Sequence, residues 1–141
     1  MNAKLQHVPA AGRQSLLSSP MARWLQAELT PRDNVYRMRF AERHIGNPFV
    51  RALHGGAVGS MMEFSALLDL ARLEENTRGE IVSSSIDYLR VTRDGDLFAR
   101  VEVVRIARRL AFLDVWCWQE AEDVPVARAS CTVRLFPPEA A

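Results

Sequence analysis

Lysine is almost absent from this 141-residue chain: Lys4 is the single one, and arginine supplies the other seventeen of its eighteen cationic side chains. Net charge is equally scarce. Seventeen acidic residues leave a formal charge of +1, without the basic excess on which nucleic-acid binding depends. The two cysteines, Cys117 and Cys131, lie in apolar stretches with no CxxC or Cys/His ligand spacing. That excludes a disulfide scaffold, offers no metal site, and reads as small core residues of a reducing compartment. No apolar run approaches the ~20 residues of a membrane span. Leu16-Leu17 is the longest such run before Pro20, far short of a secretory signal. The expectation is a cytoplasmic protein with neither a nucleic-acid nor a membrane partner.

What is present is an ordinary globular composition. The 48% of hydrophobic residues and 25% of charged ones exclude disorder, and the length fits one domain. Residues 1–17 show no sustained period and read as a flexible lead-in, with a single domain over 18–137. Ser18-Ser19-Pro20 supplies an N-cap and a proline at the first helical position, opening a short helix over Met21–Leu29. Val35–Phe40 alternates as a half-buried strand with Tyr36, Met38 and Phe40 on one face.

From Gly56 to about Leu73 apolar residues cover nearly every side of a helix, the mark of a helix buried all round. Four strand-like runs follow, over 81–90, 97–107, 110–119 and 124–136. Val82, Ile86 and Tyr88 are expected to point inward from the first of them. In the second, Val103-Val104 breaks the alternation, which predicts a bulge. The buried helix is the one element able to cover the apolar face of these strands, which makes the chain α+β. A curved antiparallel sheet wrapped around one long central helix is the hot-dog fold.

The stretch most suggestive of chemistry is Leu53-His54-Gly55-Gly56, where two glycines open the buried helix. Free backbone N–H groups and the positive dipole end meet there, which suits an oxyanion hole or a phosphate cradle as well as a tight turn. Glu63 stands midway along the same helix, where an unpaired carboxylate is seldom buried. Desolvation would raise its pKa toward the range of a general base; an interior ion pair with an arginine is the bland alternative. Asp69 and Arg72 are i,i+3 neighbours and read as a local ion pair. Gly55 and Glu63 are eight residues apart, ~12 Å along one helix axis. If both act on one carbonyl, they come from different chains, so the spacing favours a site shared across a dimer.

His54-Gly55-Gly56 with a carboxylate nine positions after the histidine resembles the hot-dog acyl-CoA thioesterases of the phenylacetate-degradation type. Asn47, the run Ser85-Ile86-Asp87-Tyr88-Leu89-Arg90 and Gly95-Asp96 add to the likeness, which covers residues 33–136. It implies hydrolysis of an acyl-CoA thioester to a carboxylic acid and free coenzyme A. No metal or cofactor is implied beyond the coenzyme A of the substrate. The Gly55 amide would polarise the carbonyl beside Gly56, and Glu63, where the family usually has Asp, would act as base or nucleophile. Asn47, seven residues before His54 against six in the family pattern, would help place the carboxylate or water. The family's hydroxyl-bearing position falls on Ile81, with Ser83 the nearest substitute on its strand face. His54 joins the site as a part of the turn. Arg108-Arg109 could hold the phosphates of coenzyme A, and Met61-Met62 belong to the core or to the acyl pocket. The family likeness also implies homodimers, often paired into tetramers. Two alternatives stand beside this reading: a non-catalytic acyl-CoA binding module, and a hydroxyacyl dehydratase using His44 and Glu63.

Overall fold

The structure is a computed structural model that describes residues 10–74 and 77–136. The first nine residues of the expected lead-in, and Pro137 at the expected domain end, lie outside that range. From residue 10 the lead-in is helical: a π-helical turn over Ala10–Gln14 runs into Ser15–Leu17. The anchors are tertiary and leave no period in the sequence. Leu16 and Leu17 pack on the core, and the Arg13 guanidinium donates to the Asp33 carbonyl at 3.3 Å and to the Tyr36 hydroxyl at 3.4 Å.

Helix α1 (Pro20–Leu25) starts as the sequence predicts, with the Ser19 Oγ accepting from the Ala22 N–H at 3.2 Å and proline in its first turn. It ends four residues earlier than expected. Gln26 takes the left-handed conformation (φ 54°), and Ala27–Leu29 becomes strand β1, paired antiparallel with β2 (Val35–Met38). Leu25, Ala27 and Leu29 fit a two-residue period too, and pairing with β2 decides between the two. Strands β3 (Ile45–Asn47) and β4 (Ala52–Leu53) form a small separate hairpin. Gly46 lies so close to His54 that a Cβ there would sit 2.7 Å from the His54 Cα.

Helix α2 spans Gly55–Leu73. Strands β5 (Arg78–Tyr88), β6 (Leu97–Ile106), β7 (Leu110–Trp118) and β8 (Ala127–Phe136) follow. All six long-sheet strands run antiparallel in the order β1-β2-β6-β7-β8-β5 and curl around α2. The bulge expected at Val103-Val104 is present, as a register shift between Val103 and Arg105. A second shift, between Ile81 and Ser83, corrects the facing of β5. It puts Ile81 rather than Val82 against the core, and Val82 is 54% exposed.

At the C-terminal end of α2, Asp69 is buried and accepts from the Tyr36 hydroxyl at 2.7 Å and from the Arg72 Nε at 3.0 Å. The Asp69–Arg72 pair read from the sequence is therefore present, with Tyr36 as a third member. The Asp69 carboxylate raises the pKa of both partners, joined for Tyr36 by the larger effect of burial. Tyr36→Phe removes one charge-assisted hydrogen bond from a buried carboxylate. We expect it to lower stability by about 1.5–3 kcal/mol, read as a lower urea midpoint with unchanged slope; an unchanged midpoint contradicts this assignment.

Candidate active site at the N-terminus of the central helix

His54 organises the start of α2. Its backbone is extended, and its Nδ1 accepts from the Gly56 N–H at 2.8 Å. In this bond Nδ1 is the acceptor, which leaves Nε2 as the ring's other hydrogen-bonding atom. The His54 N–H donates to the His44 carbonyl at 2.7 Å, and the His54 carbonyl takes the N–H groups of Ala57 and Val58. His54 is thus a cap, and the turn role expected of it holds. One donor is left over. The Gly55 N–H has no acceptor among the described residues, and Gly55 is solvent-exposed at the positive end of the helix dipole. Its carbonyl accepts from the Tyr88 hydroxyl at 2.8 Å, which ties the helix terminus to the end of β5.

The sheet buries α2 on all but one stripe. Gly56, Ser60, Glu63 and Leu67 are exposed or half-exposed, at successive i+4, i+3 and i+4 steps along one face. Glu63 is therefore half-buried rather than enclosed. It forms no ion pair among the described residues, so the interior pair weighed above is not formed. One carboxylate oxygen accepts from the Ser84 Oγ at 2.6 Å.

Ser84 is the hydroxyl that sequence reasoning missed. Ser83 follows from the face of Ile81, whereas the inward phase of Val82, Ile86 and Tyr88 already carries Ser84; the bulge at Val82 brings Ile81 onto that face and leaves Ser83 off it. Ser84 then pairs with the inward-facing Cys131, and Ser83 pairs with Thr132 on the other face. Three consecutive serines at 83–85, the middle one in phase with Ile86 and Tyr88, were the available signal.

Other candidates are scattered. The Asn47 side-chain carbonyl accepts from the Phe49 N–H at 3.0 Å, a local turn. Arg108 and Arg109 lie exposed in the connection between β6 and β7. Met61 and Met62 are fully buried core residues. His44 leaves the site altogether: it is wholly buried, its Nδ1 accepts from the Ala41 N–H at 3.2 Å and its Nε2 donates to the Trp24 carbonyl at 2.9 Å. No ring nitrogen remains for proton transfer, which removes the dehydratase alternative. Two grooves flank the helix terminus. One, of about 600 Å³, lies between α1 and the first turn of α2; the other, of about 380 Å³, lies beside Gly55, Val58 and Tyr88.

The sequence matches the family described as acyl-CoA thioesterase N-terminal domain over residues 45–134. The chain belongs to that family of thioester hydrolases. Its fold is the hot dog of the solved thioesterases. The PaaI protein of the E. coli phenylacetic acid degradation operon superposes with a TM-score of 0.77 at 17% identity, covering 95% of this chain and 97% of that one. A putative thioesterase, phenylacetic acid degradation-related, from Ralstonia eutropha gives 0.75 at 21% identity, over 91% and 99%. A hypothetical thioesterase from Streptococcus pneumoniae, solved with coenzyme A, gives 0.68 at 23%, over 81% and 88%. No curated protein matches the sequence. Among the described residues no helix is long and apolar enough to cross a membrane.

Beneath Ser84, the Cys131 thiol is pushed up to about 11 from its ordinary value near 9, first by burial and then by the charges of Glu63 and Asp114. A thiol held protonated in this way is a poor nucleophile. A folded-state pKa above the unfolded one contributes stability in full below the unfolded value and loses it as pH rises toward the folded one. The urea midpoint should therefore fall between about pH 9 and 11. Cys117 and Tyr36, also raised, act in the same direction, so Cys131→Ala should flatten this fall without abolishing it. Identical alkaline slopes for the two proteins contradict the coupling.

Proposed function

We propose that the protein hydrolyses an acyl-CoA thioester, with the Gly55 N–H as oxyanion donor and Glu63 as general base or nucleophile. As base, Glu63 takes a proton from water while the oxygen attacks the carbonyl carbon. The tetrahedral oxyanion rests on the Gly55 amide, and its collapse expels the coenzyme A thiolate, which takes up the proton. As nucleophile, the carboxylate attacks first and expels the coenzyme A thiolate, and water then cleaves the resulting anhydride to the free acid and Glu63, its proton passing to the thiolate. The observation that carries the reading is the pairing on one helix of an exposed N-terminal amide and a half-buried carboxylate, the first without an acceptor and the second without a cationic partner among the described residues. Ser84 holds the carboxylate, and the Asn47 amide nitrogen, without a partner among the described residues, is assigned to the water or carboxylate. Arg108 and Arg109 are assigned to the coenzyme A phosphates, which their exposed guanidinium forks suit.

The site is assigned to a dimer, with Gly55 from one chain and Glu63 from the other. Eight residues of continuous helix separate the two groups by ~12 Å along the axis, and both lie on the uncovered side of α2. Strand β5 supports the same reading: eleven residues long, it is an edge of the sheet, and a long bare edge invites pairing with a second chain. Val82, Tyr88 and Val91, at 54%, 56% and 76% exposure, line the same border. Pairing of two such dimers into a tetramer extends the proposal.

Glu63→Gln should lower kcat for thioester hydrolysis at least ~10²-fold, measured as free thiol release by the purified, folded variant. Near-normal turnover would contradict the assignment. A wild-type protein that binds acyl-CoA without releasing thiol would be the non-catalytic module.

A further inference from the structure

The larger groove at the helix terminus has a built apolar wall. Pro20, Met21 and Trp24 line it from α1, and Gly56, Ala57 and Ser60 from the first turns of α2. Met21 and Trp24 are 46% and 42% exposed, while Ala22 and Leu25 of the same short helix are buried in the core. Helix α1 thus presents two large apolar side chains to the groove at no cost to its packing. Trp24 is held in place: its ring lies 5.2 Å from the buried His44 ring, and the Arg43 guanidinium lies over it at 5.9 Å. The inner end of the groove is formed by Gly56 and Ser60, members of the open stripe that continues to Glu63.

The Ser60 Oγ, the His54 Nε2 and the Arg43 Nη1 have no partner among the described residues, while the other polar groups of the groove are occupied. The Nε and one terminal nitrogen of Arg43 each donate at 2.8 Å, to the Trp24 and Arg23 carbonyls at the end of α1. The His54 Nδ1 is taken by the Gly56 N–H. The pantetheine arm of coenzyme A carries two amides, which the side of the groove made by Pro20, Met21 and Trp24 would leave unsatisfied at a cost of about 1–3 kcal/mol each. An acyl chain has no such requirement, and a cleft of a few hundred Å³ with apolar walls suits it.

We infer that this groove is the acyl pocket and that Trp24 sets its selectivity, favouring extended apolar or aromatic acyl groups over acetyl. The inference rests on the thioesterase reading, since it starts from a carbonyl placed at the Gly55 amide.

The test is a series of acetyl-, butyryl-, octanoyl- and phenylacetyl-CoA. Thiol release gives kcat/KM and calorimetry on the full chain gives Kd. Trp24→Ala should lower the octanoyl-to-acetyl and phenylacetyl-to-acetyl ratios of kcat/KM at least ~10-fold, as expected for lost apolar contact with a buried chain. Trp24→Leu, which keeps apolar bulk over His44, should fall between the variant and wild type. Met21→Trp should narrow the groove and depress octanoyl relative to butyryl. The same factor of loss for every ester would overturn the inference and give the groove to the coenzyme A arm or to folding alone. If the wild type releases no thiol from any ester, the hydrolase reading fails by itself. The Kd ratios then decide the groove: a ratio unaltered by Trp24→Ala overturns it, and a ratio lowered ~10-fold sustains it.

Discussion

Helix α2 is the rigid ruler of this molecule. Nineteen residues run without a break from Gly55 to Leu73, clasped by a curved sheet that leaves one stripe open. The sheet supplies burial, and the helix supplies direction. Its N-terminus presents an amide without an acceptor, and a carboxylate stands two turns further along. Neither group can approach the other, because the hydrogen bonds that make the helix also fix its rise. The proposed composite site rests on that spacing, and the sheet order leaves the β5 edge bare for the second chain it calls for.

The helix terminus is itself held by a chain of short-range constraints. Gly46 permits the β3–β4 hairpin to lie against the His54 backbone. The His44 carbonyl receives the His54 N–H, while the His44 ring is fixed between Ala41 and Trp24. His54 then satisfies Gly56 and leaves Gly55 open. Buried His44 serves the site without touching it, by fixing the backbone that aims the amide. The Tyr88 hydroxyl on the Gly55 carbonyl adds a tie between β5 and the residue proposed as oxyanion donor.

Much of this was legible in the sequence because the signals were strong and local. An unbroken apolar helix after a glycine pair, alternating strands behind it, and Val103-Val104 as a bulge all survive in the structure. The losses share one physical cause, since tertiary pairing overrode local pattern. At Leu25–Leu29 an apolar spacing compatible with helix or strand was resolved by β2. In β5 a bulge at Val82, set by pairing with β8, exchanged Val82 for Ile81 in the core. Residues 10–17 show no period, yet Arg13, Leu16 and Leu17 dock on the core. The expectation of an enclosed Glu63 failed for a related reason: uniform hydrophobicity along α2 does not tell a helix face covered by its own sheet from one left open.

The central claim, that each site takes Gly55 from one chain and Glu63 from the other, is tested most directly by mixing two inactive variants. Gly55→Pro removes the amide while suiting the backbone: Gly55 opens the helix, where proline is well tolerated, its φ is not positive, and His54 at φ −62°, ψ 130° fits a residue before proline. Its partner in the mixture is Glu63→Gln. Neither parent should turn over acyl-CoA. Random re-association makes half the dimers mixed, each with one restored site, so about a quarter of wild-type turnover should return. Mixed dimers confirmed by mass that stay inactive, with both parents folded, would contradict the shared site.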